Sequence, residues 1–89
     1  MEGTGVLTVG VVERMNLDRI AIWVEGQGGY TIIKLESPAR IERGDVLCWQ
    51  DRYSTGSCIY WNATKGWDSV VSVQNHNVPV DCLGQQLVA

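Results

Sequence analysis

Trp23 and Tyr30, with Arg19 and Lys34 outside them along the chain, carry the most suggestive chemistry in this sequence. Aromatic rings stack on nucleobases, each stacked base contributing about 1–3 kcal/mol, while cationic side chains meet the phosphates. Trp49, Tyr60, Trp61 and Trp67 could widen such a platform, because the 89 residues hold four Trp and three Tyr. The same rings are also the bulkiest material available to fill or cover a small core. Both uses are open at the level of sequence.

Gln74, Asn75, His76 and Asn77 make the densest run of hydrogen-bonding side chains, and Asn62 with Thr64 could join them at one end of the fold. Amides and an imidazole suit base edges or sugar hydroxyls. They suit strand ends and loops equally, through Asx-type bonds to the backbone. Cys48, Cys58, Cys82 and His76 make a nominal zinc set, but no two cysteines have the close spacing of a structural zinc site. Neither a metal nor another cofactor is expected. His76 is the sole histidine, and no recognised spacing links it to Asp81 and Cys82 as base, carboxylate and nucleophile. The chain is not expected to be an enzyme. Gly3-Thr4-Gly5 precedes the first strand instead of following it, unlike a dinucleotide fingerprint.

Charge narrows the choice further. Seven basic and ten acidic residues give a net charge of -3, whereas proteins that grip many phosphates carry a basic face. Arg14, Arg19, Arg40, Arg43, Arg52, Lys34 and Lys65 are scattered, which argues against strong non-specific binding of nucleic acid. Two expectations remain. One is weak or selective binding of single-stranded nucleic acid through Trp23, Tyr30, Arg19 and Lys34. The other is a protein-interaction or self-assembly module, for example a homodimer that pairs an open strand edge or buries an aromatic patch.

Hydrophobic residues at 45% and charged ones at 19% make a folding composition. The length fits a single domain, residues 1–89, with residues 75–89 as a less regular C-terminal segment. No basic-then-apolar leader opens the chain, and no apolar run approaches the roughly 20 residues that span a bilayer. A cytoplasmic location without membrane contact is expected, with the three cysteines as thiols.

These residues need strands to position them. Val, Ile, Thr, Tyr and Trp dominate the apolar runs, and glycine or Asx residues separate them. Strands are expected over residues 6–15, 19–25, 30–35, 46–49, 58–61 and 67–73. Both alternating sets of the first are partly apolar, so its buried side is expected to change at a bend on Gly10. In the second, Ile20, Ile22 and Val24 face the core and Trp23 faces away. The third admits either Ile33 with Leu35, or Tyr30 with Ile32, as its inward set. Residues 39–43 form a connector with room for one helical turn. The fold class is all-β, a small five- to six-stranded OB-like barrel, closed or nearly closed so that no apolar edge is exposed.

Gly10-Val11-Val12, the arm holding Ile20 and Ile22, and Gly44-Asp45-Val46 give the chain an organisation that resembles cold-shock and S1-type domains. That resemblance implies single-stranded nucleic acid bound on aromatics of the second and third strands, where Trp23 and Tyr30 stand. The phenylalanine-containing runs of cold-shock proteins are missing, as the chain has no Phe. Gly10-Val11-Val12 with Met15-Asn16, Gly29-Tyr30-Thr31, Gly44-Asp45-Val46, Asn62 with Thr64, and Val73-Gln74-Asn75-His76 also resemble a group of small uncharacterised bacterial proteins. That second resemblance implies a barrel and no activity.

Overall fold

Period-two alternation of branched and aromatic side chains is realised as six antiparallel strands. The computed structural model describes residues 7–88. They are β1 (Thr8–Asn16), β2 (Arg19–Val24), β3 (Gly29–Leu35), β4 (Val46–Trp49), β5 (Gly56–Asn62) and β6 (Trp67–Val78). A 3-10 turn (Val80–Cys82) and a single helical turn, α1 (Leu83–Gln86), follow. Two three-stranded meanders join edge to edge, giving a closed barrel in the order β1-β2-β3-β6-β5-β4. The expected fold class holds: a small all-β barrel with six strands.

Inward side chains fill the barrel. Val12, Ile20, Ile22, Val24, Ile33, Leu47, Trp49, Tyr60, Val71 and Val73 make one core cluster, plugged by Ile41 from the connector between β3 and β4. Trp49 and Tyr60 stack inside it with ring centroids 4.3 Å apart. That connector carries no helical turn. It is held on the barrel by Ile41, which joins the core, and by the pair Val12 N to Asp45 O (2.9 Å) and Gly44 N to Val12 O (2.8 Å).

β1 differs from expectation. Its buried residues Thr8, Gly10 and Val12 share one face throughout, and Val9 and Val11 stay exposed; Val6 lies outside the described residues. The irregularity falls between Val12 and Arg14, not at Gly10. Glycine is required at position 10 by proximity, since a Cβ there would collide with Ile22 Cγ2 and meet the Trp23 carbonyl at 2.9 Å. Gly10→Ala is expected to cost about 1–3 kcal/mol through overpacking against backbone that cannot yield. A urea midpoint equal to the parent's would show that β1 and β2 can part.

The switch of buried face occurs in β6 instead. Extra residues between Val73 and Val78 shift its register against β3 twice, and Asn77 adopts a left-handed φ of 56°. Val71 and Val73 point into the barrel, whereas Val78 joins a second cluster outside it. That outer cluster unites Ala21, Tyr30 and Ile32 with Val78, Leu83 and Leu87. Of the two sets weighed for β3, Ile33 with the half-buried Leu35 faces the barrel core, while Tyr30 and Ile32 are buried on the other face under the C-terminal turn. The segment after Asn75, expected to be less regular, is strand to Val78 and then two short helical turns. Asn16 Nδ2 donates to Leu87 O (2.6 Å) and Arg19 donates to Gln86 O (3.3 Å), satisfying carbonyls left open where α1 ends.

Candidate interaction surface

Pairing places a largely apolar wall on the outside of β1, β4, β5 and β6. Residues Val9, Cys48, Trp61 and Asp68 are successive cross-strand partners and form one outward row. Ile59 and Val70 pair in the next row, level with Leu7, which borders the same groove. Ile59 is 63% exposed and Leu7, Val9, Trp61 and Val70 are each more than two-fifths exposed. Single exposed apolar residues are ordinary on a protein surface, but a contiguous set over four strands is the mark of a contact site.

Between the ends of β4 and β5 the wall opens into a groove of about 720 Å³, bordered by Leu7 and Gln50 on one side and Ile59 and Trp61 on the other. Asp68 is the single charged residue along it. Cys48 and Cys58 also border it, and both are free thiols. Ile59 and Val70 separate this groove from a second, where Trp67 and Arg40 lie beside Pro38.

The nucleic-acid candidates sit elsewhere. Arg19, Trp23, Tyr30 and Lys34 share the outer face of the β2–β3 hairpin, with Arg19 opposite Lys34 and Trp23 opposite Tyr30. Ala21 and Ile32 separate the basic pair from the aromatic pair, and both lie under Leu83 and Leu87. Trp23 is 38% exposed and meets Tyr30 edge to face at 5.2 Å. Tyr30 is only 8% exposed and donates its hydroxyl to Glu13 Oε1 at 2.8 Å. That bond, with burial adding to it, raises the phenol above its usual 10.0. Arg19 is committed to the Gln86 carbonyl, while Lys34 is exposed.

The polar candidates are divided into three places. Asn62 and Thr64 stand at the β5–β6 turn, where Asn62 Nδ2 donates to Asp45 Oδ2 (2.9 Å) and Thr64 Oγ1 accepts from Val46 N (2.9 Å). Gln74 binds locally to Ser72, and Asn75 donates to Gln86 Oε1 beside the C-terminal turn. His76 lies toward the opposite end of β6. Its Nε2 donates to the Ser54 carbonyl at 2.8 Å, and its Nδ1 is hydrogen-bonded to the Thr31 hydroxyl at 3.0 Å. Tyr53 covers the ring edge-on at 5.6 Å. Each of the five has a structural bond, and they do not converge.

Sequence reasoning missed the network around Asp45. Its Oδ2 accepts from Glu42 N (2.9 Å), Asn62 Nδ2 and Lys65 Nζ (2.5 Å) while the residue is almost wholly buried. The three donors tie the connector to the β5–β6 turn. It also missed the wall, whose signal in the sequence is the second apolar set of the first strand, Leu7, Val9 and Val11, which is exposed along its length. Compared with known proteins, the chain matches no family model, no curated protein and no solved structure. Among the described residues no helix is long and apolar enough to cross a membrane.

Proposed function

We propose that the protein is an interaction module that binds a protein partner on the β1-β4-β5-β6 wall. The observation that carries this reading is the contiguous exposed apolar set around Ile59 and Trp61, bordered by one acidic residue and no basic one along its groove. Removing that area from water supplies a driving force of about 25 cal/mol per Å² of apolar surface. Tryptophan is among the residues that dominate such contacts.

The cold-shock-like reading has less support. Nucleic acid on β2–β3 would have to approach a buried tyrosine whose hydroxyl is bonded to a carboxylate, which repels phosphate. The covered stretch at Ala21 and Ile32 also separates the rings from the cations.

Panning a random peptide display library against the intact protein separates the two. Binders to the wall should weaken at least tenfold with Ile59→Asp, a change at an exposed position that leaves the fold intact by circular dichroism. Lys34→Glu should not affect them. Binders indifferent to Ile59→Asp would overturn the reading. So would Trp fluorescence quenching by short oligonucleotides that weakens with salt and persists in Ile59→Asp.

A further inference from the structure

Resting on that reading, we infer that the partner's contact segment is an extended peptide carrying a basic residue, which adds a strand to β5 at its open edge. β4 is too short to cover β5. Their pairing consists of Leu47 with Asn62 and Cys48 with Trp61, after which residues of β5 pair with β6 alone.

The backbone of a strand directs its N–H and C=O groups alternately to its two sides. Ala63 N donates to Val46 O, which sets the odd-numbered residues of β5 toward β4, and Asn62 O accepts from Gly66 N on the other side. Trp61 follows the first direction and meets Cys48. Ile59 and Ser57 share it, and among the described residues their groups on that side meet no strand partner. Both residues border the groove. Among the described residues, two residues of unpaired backbone thus border the groove.

Natural edges are usually protected by Lys, Pro or an inward charge. Gly56, Ser57, Cys58, Ile59 and Tyr60 include none of these. Backbone pairing would supply the affinity, and alternate side chains of the incoming strand would rest on Ile59, Trp61 and Leu7.

Charge selects the occupant. Asp68 is the one charged residue along the groove and has no ion pair among the described residues. A lysine or arginine on the incoming strand meets it, and the net charge of -3 favours approach of a basic segment. A second copy offers the opposite. Its own edge has no cation, and symmetric pairing of β5 with β5 would bring two Asp68 side chains to one surface.

The test uses the full chain and the peptides that panning recovers. Their sequences should alternate apolar with polar residues and include Lys or Arg. Repeating the selection on Asp68→Lys should exchange that preference for Asp or Glu. N-methylating alternate peptide amides should weaken binding at least tenfold in one phase and little in the other. Amide hydrogen exchange of Ser57 and Ile59 should slow at least tenfold on binding. Peptides that are lost with Ile59→Asp yet leave those two amides unprotected would overturn strand addition while the wall remains a contact site. A failure to recover any binder would overturn both. Protection of the same amides by protein concentration alone, with a dimer in sedimentation, would assign the edge to a second copy and refute the peptide.

Discussion

Leu83→Ala should lower the unfolding free energy by about 2–4 kcal/mol, the usual range when a fully buried leucine is truncated without collapse of its surroundings. Leu83 is completely buried although it belongs to a single helical turn outside the barrel. Its neighbours are Ala21, Tyr30 and Ile32 on the outer face of β2–β3, with Val78 and Leu87 beside it. One turn of helix has no stability of its own, because forming the first hydrogen-bonded turn is unfavourable. Docking of Leu83 and Leu87 must hold it, with Asn16 and Arg19 closing its last carbonyls. Chemical denaturation measures the loss. A change below about 0.5 kcal/mol, the size of an ordinary surface substitution, would mean that the turn is undocked in solution. The whole outer face of β2–β3 would then be free, and the aromatic-basic reading of Trp23, Tyr30, Arg19 and Lys34 would regain its support.

Asp45→Ala should cost about 3 kcal/mol, since it strands the buried Asn62 amide and leaves the Lys65 ammonium only the exposed Glu42 carboxylate at 2.9 Å. Asn62 is almost completely buried and the Lys65 side chain is 15% exposed. Burial pushes the Asp45 carboxyl up, but the hydrogen bonds from Lys65, Asn62 and the Glu42 backbone outweigh it and hold the pKa below the usual 3.8. The folded state therefore binds this proton less readily than the unfolded chain. The resulting stability is complete above pH 3.8 and is lost as pH falls through the lower, folded value. Lys65 is shifted the other way. Hydrogen bonding to Asp45 raises it above 10.5, so its contribution is complete below that pH and disappears as pH rises through the folded value. Unfolding followed between pH 2 and 7 should show an acid decline in the parent that is shallower in Asp45→Ala. Equal slopes would remove Asp45 from the acid response.

Much of the barrel was legible because its cause is local. Alternation at Ile20, Ile22 and Val24 requires one buried face and one open face, and the Gly-rich stretch from Gly26 to Gly29 turns the chain back. The expected β4 has the observed bounds, and β2 and β3 differ by one residue at one end. The C-terminal turn left a trace that went unread: Leu83 and Leu87 stand four apart, one face of a helix, shortly after Pro79. The candidate sites were harder to place. Trp23 and Trp61 are both outward tryptophans on alternating strands, and nothing in their neighbours along the chain says that a helical turn covers the area beside one and not the other.

Residue order by itself determined the strands, most of their turns and the inward face of β2, because backbone geometry and the exclusion of apolar surface from water act over a few neighbours. Tertiary structure alone decided which outer faces are covered, since that depends on where residues some sixty positions apart come to rest. Extra residues in β6 turn Val78 outward and carry the C-terminal turn onto β2–β3, while no element among the described residues packs over the other wall. Coverage follows from closure of the barrel, and closure is a property of all six strands together.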